Sequence, residues 1–303
     1  MGIEVKQCRH GRLMYYANDA YIGRSLRLYG EYSEGEIALW SQFLRPGMTV
    51  IDVGANIGAH TIYLAKAVGQ RGLVYAIEPQ RQLYQMLLGN LALNEIANTS
   101  VFMGALADDS YGGVKQSAKT AGGIGTINVP PIDYGSAGNF GAIALGKRSK
   151  RGEAVPVVTL DSLGLNEVSF IKIDVEGMER AVLRGASETL SRDRPILYVE
   201  NDRAEHSREL ISLILGAGYR LFWHLPPLFN PKSFSGAVRN IFPNVVSGNM
   251  LGVHKTTASN IRGLREITSP DDWCGVGPGR LRRKRHQKPL GVRRNRSSSK
   301  ENS

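Results

Sequence analysis

Thr49-Val50-Ile51-Asp52-Val53-Gly54-Ala55-Asn56-Ile57-Gly58 decides how this chain is read. The β-branched apolar run at its start predicts a buried strand. Side chains shrink at Gly54. After Gly58, the residues His60-Thr61-Ile62-Tyr63-Leu64-Ala65-Lys66-Ala67-Val68 take up the pattern of an amphipathic helix. A strand that turns through glycine into a helix brings a ligand against bare backbone at the helix N-terminus. Asp52 is the odd residue, a carboxylate near the carboxyl end of an apolar strand, and it is expected to face a cation.

A second strand, Gly72-Leu73-Val74-Tyr75-Ala76-Ile77, ends in Glu78-Pro79. An acid at the tip of the second strand of a βαβ unit is placed to accept both ribose hydroxyls of a nucleoside. A dinucleotide fingerprint needs glycine where this chain has Asn56, and Asp52 beside the loop repels a pyrophosphate and attracts an ammonium. A ligand with a ribose and a cationic amino-acid tail suits both acids. S-adenosylmethionine (SAM) is that ligand, and the bland alternative is a generic βαβ unit with an incidental acid.

At these residues the chain resembles SAM-dependent methyltransferases, and Val50-Ile51-Asp52-Val53-Gly54-Ala55-Asn56-Ile57-Gly58 resembles the FkbM family in particular. A second stretch, Ile171-Lys172-Ile173-Asp174-Val175-Glu176-Gly177-Met178-Glu179, is similar to the same family's own motif. The resemblance covers about residues 30–255. It implies a Rossmann-like α/β fold: a seven-stranded, mostly parallel sheet with helices on both faces and an antiparallel last strand near Asn249–His254. The implied activity is O-methylation of a small-molecule or carbohydrate hydroxyl. It also implies that Gly54, Ala55, Asn56 and Gly58 join Asp52 and Glu78 around SAM. In FkbM-like enzymes the small-residue exit of the third strand lies near the adenine, and Gly104-Ala105-Leu106 matches that position loosely.

The chain has 303 residues and a formal charge of +11. Ten Lys/Arg and one acid lie from Arg280 onward, which leaves residues 1–279 with only +2. The body therefore gives no sign of a nucleic-acid surface. The tail, nearly without apolar residues, is expected to be disordered from about 280. It reads either as an arm for nucleic acid or an anionic surface, or as a solvated extension. Cys8 and Cys274 have neither disulfide-framework nor zinc-site spacing, which suits the cytoplasm. No apolar run is long enough for a signal peptide or a transmembrane segment.

Residues 1–32, rich in tyrosine, are expected to form short strands or a hairpin on the main body. Ser33-Glu34-Gly35-Glu36 reads as a capping box that opens a helix and the methyltransferase domain, 33–256. Residues 107–152 break the rhythm with Gly, Ser and Ala, and read as a mobile insertion or lid. Strands alternate with helices on either side of them, which argues for a parallel-rich sheet. Residues 257–303 are expected to be a C-terminal extension.

In an open parallel sheet, ligands bind outside the carboxyl ends of the strands. Asp52, Glu78, Asp174 and Glu200 all fall at such ends, so four carboxylates should line one rim. Methyl transfer from a sulfonium needs an aligned acceptor and a base for its proton. Asp174 is expected to hold the methionine amine or the acceptor, and Glu176 to be the base. His224 and Glu200 are the other candidates for that base. Lys172 could pair with Asp174 or meet a substrate acid. Asp174, Glu200 and Asn201 could form an oxygen-only Mg²⁺ set, but no metal is expected. Two rival functions remain: a nucleic-acid methyltransferase that uses the tail, although the Asn/Asp-Pro-Pro-Tyr/Phe tetrapeptide is absent, and a non-catalytic SAM-binding module.

Overall fold

The structure, a computed structural model, describes residues 2–109, 123–142, 152–257, 260–277 and 280–281. The chain opens with the antiparallel hairpin β1 (Ile3–Cys8) and β2 (Gly11–Tyr16), as its alternating pattern predicts. A helix, α1 (Ile22–Tyr29), follows where only strands were expected. It leads into α2 (Glu34–Trp40). The expected capping box does not form there. Ser33 adopts φ 48°, and its hydroxyl donates to the Glu36 carboxylate at 2.8 Å instead of capping the backbone.

The central units are β3 (Thr49–Val53), α3 (Ala59–Val68), β4 (Leu73–Ile77), α4 (Arg81–Leu93) and β5 (Thr99–Phe102). After β6 (Ala105–Leu106), β7 (Gly123–Val129) and β8 (Glu153–Val158) come β9 (Val168–Ile173), α5 (Glu179–Arg184), α6 (Ser187–Asp193) and β10 (Ile196–Glu200). Then α7 (Ala204–Gly216), β11 (Tyr219–His224), β12 (Asn249–His254) and β13 (Arg265–Ile267) complete the main body. The main sheet runs β13-β11-β12-β10-β9-β3-β4-β5. Pairing is parallel from β10 to β5, and β12 is antiparallel to both its neighbours, as expected.

Alternate residues of each buried strand feed two cores. Ile51, Ile171, Leu197 and Leu221 face α5, α6 and α7, whereas Val50, Phe170, Tyr198 and Phe222 face α2 and α3. Burial of each such side chain stabilises the fold by roughly 1.5–3 kcal/mol. The apolar stripe of α4 packs instead on the hairpin, through Leu83, Met86, Leu87 and Leu91 against Leu13, Tyr15 and Tyr16.

Three sequence expectations need correction. The sheet has eight strands, because β13 pairs antiparallel with β11 and buries Ile267, so the body extends past residue 256. The third strand breaks at Gly104, and Ala105–Leu106 joins a separate sheet of order β6-β8-β7. The insertion 107–152 is not wholly irregular, since β7 within it pairs with β8. Much of that insertion, and the tail beyond Leu281, lie outside the described residues. Arg280–Leu281, at the start of the expected disordered tail, form the two-residue strand β15 against β14 (Val276–Gly277). Among the described residues no helix is long and apolar enough to cross a membrane.

Candidate active site

The carboxyl ends of β3, β4, β9 and β10 open on one cleft, and three of the four acids expected on its rim, Glu78, Asp174 and Glu200, line it. Its floor is the turn after β3. Gly54 has φ 81°, and a Cβ there would collide with the Asp174 carbonyl, so only glycine lets β3 and β9 end side by side. The Gly54 and Ala55 N–H groups both donate to Ile77 O at 3.0 Å, tying the turn to β4. Gly58 has φ 84° at the start of α3, and a Cβ there would strike Leu87. It shapes the turn without lining the cleft.

Glu78 is 3% exposed and its carboxylate accepts from Asn56 N at 2.8 Å and Gln80 N at 2.9 Å. Burial pushes its pKa up to about 7 against those two bonds. It faces the cleft on both its inner and its outer side. The inner side is lined by Gly104, Ala105, Leu106, Ile77 and Met178, a small apolar slot of the kind an adenine needs. The outer side carries Tyr21, Tyr32, Asn56, His60 and Ser247 along with Glu200 and Asp202. Gly54, Glu78, Gly141, Asp174 and Glu176 belong to both sides.

Asp52 departs from its expected place. It is 0% exposed and lines neither side of the cleft. One carboxylate oxygen accepts from Lys172 Nζ at 2.9 Å and the other from Thr61 Oγ1 at 2.7 Å. The register pairs Asp52 of β3 directly with Lys172 of β9. Lys172 Nζ also donates to Gly54 O at 3.1 Å and stands 4.0 Å from Asp174. Burial alone would pull the ammonium's pKa down, but Asp52 and Asp174 outweigh it and push it up. Asp52 thus steadies the turn through Lys172, whereas Asp174 lines the cleft with a side chain 42% exposed.

Glu176 stands at φ 55°, one residue before Gly177 at φ 101°, so the chain's sharp turn here aims its carboxylate back at the rim. It pairs with Arg203. Burial and the neighbouring Asp174 raise its pKa to about 7, against the pull of Arg203. Glu200 is raised well above the usual carboxylate range by burial and then by Asp174, Asp202 and Glu176. One of its oxygens is enclosed without a hydrogen-bond partner. Glu179 turns away from the rim and accepts from Gly177 N at 2.8 Å, a helix-start role.

His224 is not brought to the site. It lines neither side of the cleft, its Nδ1 lies 2.8 Å from the Tyr198 hydroxyl, and burial lowers its pKa to about 4. Asn201, once a possible metal donor, is 3% exposed and donates to Ser207 Oγ at 2.9 Å. Oxygens of Asp174, Glu176 and Glu200 do lie within 4.8 Å of one another, a spacing able to take a cation. Sequence reasoning missed Lys172 as the centre of the floor, Arg203 as the partner of Glu176, and His60 on the outer wall. Only Lys172 carried a signal, being a charge inside an apolar strand.

A family model described as the methyltransferase FkbM domain matches residues 52–221, more than half of the chain. The chain belongs to the FkbM methyltransferase family. Its cofactor is SAM, and the residues present fit it: an acid at Glu78, a small apolar slot, bare backbone at Gly54 and a part-exposed carboxylate at Asp174. Similar proteins include a protein-L-isoaspartate O-methyltransferase of Methanothrix thermoacetophila, 38% identical over 61 residues, which are 20% of this chain and 29% of that protein. A ribosomal RNA large subunit methyltransferase E of Acidithiobacillus ferrooxidans is 28% identical over 114 residues, 36% of this chain and 47% of the relative. The chain thus spans less than half the length of these curated relatives. A crystal structure of methyltransferase FkbM from Methylobacillus flagellatus aligns at 18% identity and TM-score 0.42, covering 68% of this FkbM chain and 43% of the other. Aeropyrum pernix fibrillarin with natively bound SAM aligns at 10% identity and TM-score 0.41, over 83% and 82%.

Proposed function

We propose that this protein is a SAM-dependent O-methyltransferase acting on a hydroxyl of a sugar or another small polyol. The observation that carries the reading is Glu176, which belongs to both sides of the cleft and has a pKa raised to about 7. SAM, when bound, supplies a methyl already activated as a sulfonium. The protein's part is to align the acceptor oxygen and take its proton. Glu78 holds the ribose hydroxyls, and Asp174 meets the methionine ammonium. Glu176 receives the acceptor's proton, with the Arg203 guanidinium fixing its orientation. Glu200, whose pKa is raised by burial and then by Asp174, Asp202 and Glu176, lies beside Glu176 at the cleft and offers its carboxyl to hydrogen-bond the acceptor. Tyr21 and Tyr32 line the cleft together with these acids, a mixture of aromatic and carboxyl groups suited to a sugar's apolar face and hydroxyl edge.

The nucleic-acid alternative draws support from the basic tail and from the likeness to the ribosomal RNA methyltransferase. Against it stand five carboxylates around the cleft, which oppose a phosphate backbone. The cytoplasm is the compartment proposed, on the cysteine pattern. Labelled SAM offered with a glycan panel and with ribosomal RNA, with products read by mass, separates the readings. Label on a glycan oxygen supports the proposal. Label on RNA alone would replace it.

A further inference from the structure

Two segments that lie outside residues 52–221 contribute to the outer wall of the cleft and are held to each other. One carries Tyr21, α1 and Tyr32. The other is the loop from Leu225 to Gly248, between β11 and β12. Glu31, 4% exposed, joins them: its carboxylate accepts from Arg9 Nε at 2.7 Å, Asn230 Nδ2 at 2.8 Å and Phe234 N at 2.8 Å. The Tyr29 hydroxyl donates to Arg239 O at 2.9 Å and accepts from Ile241 N at 2.8 Å. Tyr21 stacks on Phe242, with ring centroids 5.9 Å apart and planes at 17°. Tyr29, Leu228 and Phe242 form a small apolar core of their own, apart from the cores of the main sheet.

Neither Glu31 nor Tyr29 lines the cleft, yet Tyr21 and Tyr32 of the first segment and Leu228, Val246 and Ser247 of the second all do. The donor's holders, Gly54, Glu78 and Asp174, come from other elements. We propose that this clasp selects the acceptor: Tyr21 and Tyr32 touch it, and Glu31 and Tyr29 are positioning residues that set the spacing between the tyrosines and the Val246–Ser247 wall. The inference rests on the proposed reading that the outer side of the cleft receives the acceptor. A buried carboxylate with three donors is a stiff joint, because loss of any bond leaves a polar group stranded.

The test compares wild type with Glu31→Gln and the milder Tyr29→Phe. Each is given labelled SAM with methyl glycosides of neutral and amino sugars, simple phenols and ribosomal RNA. For any acceptor that wild type methylates, both variants are expected to raise KM about tenfold or more and to change the order of preference, with kcat within about threefold and the dissociation constant for SAM within about twofold. Glu31→Asp is expected to recover part of the loss. A phenol or RNA as the sole acceptor would remove the sugar reading and still test the clasp on that molecule. Unchanged KM in both variants, or SAM binding weakened as much as KM rises, would overturn the proposal. Should wild type methylate nothing in the panel, hydrogen exchange with SAM present decides. Tyr29→Phe should then speed exchange in residues 19–34 and 226–247 together and spare 53–59. Faster exchange in only one of the two segments, or in the donor turn, overturns the clasp.

Discussion

Both oxygens of Asp52 are engaged inside the protein, and its loss leaves the Lys172 ammonium buried without its partner. Breaking such a pair costs about 3–5 kcal/mol. Asp52→Ala should therefore lower the melting temperature sharply, and the double variant Asp52→Asn/Lys172→Met should recover much of it. A stable Asp52→Ala protein that merely fails to bind SAM would restore Asp52 as a direct ligand. Sequence alone showed a charge near a strand end. It could not show the partner 120 residues on, which only the β3–β9 register brings opposite. At Glu176 the prediction is kinetic. Its pKa of about 7 leaves it protonated below that pH, so turnover should rise through pH 7 and level off above it. Glu176→Gln should keep SAM affinity and lower turnover roughly a hundredfold or more. Near-normal turnover would make Glu176 a helix-start acid. Glu36, buried, has a pKa raised to about 7 by burial, although Ser33 donates to it. The unfolded chain sheds this proton first, so Glu36 removes stability as pH rises from about 4.5 to 7. The melting temperature of Glu36→Gln relative to wild type should be more favourable at pH 8 than at pH 5.

Elements were legible where period and length agreed. The buried strands β3, β4, β9 and β10 announced themselves as apolar runs with acids at their ends, and that alone placed Glu78, Asp174 and Glu200 on one rim. β13 was invisible because three residues carry no period. Ile267 is buried only because β11 lies beside it, and Trp223 Nε1 reaches Asp272 O at 3.2 Å just beyond. A chain cut after Leu281 should melt like the full protein, since almost nothing beyond it is apolar. A chain cut after Thr257 should melt markedly lower, having lost Ile267 and the Arg220–Glu266 pair. Equal melting temperatures for the two truncations would show that β13 adds nothing. α1 and its clasp escaped the sequence for the same reason: Glu31 and Asn230 meet across 199 residues.

At the scale of the whole molecule, one sheet sets two jobs side by side. In the proposed reading β3 and β4 present the donor turn and the ribose acid, β9 and β10 present the carboxylates that handle the proton, and the clasp closes the far wall. The family motifs lie on β3 and β9 and the turns that follow them, which is why the rim of acids could be read from sequence and the clasp could not. The most direct test of the arrangement is calorimetric titration of the full chain with SAM and, separately, with NAD, in wild type and in Glu78→Ala. The account predicts a clear SAM signal in wild type and none with NAD. Glu78→Ala should bind SAM more weakly by roughly 1.5–3 kcal/mol, the scale of lost charge-assisted hydrogen bonds to a ribose. Heat from NAD with none from SAM, or a Glu78→Ala protein that binds SAM as wild type does, would contradict it.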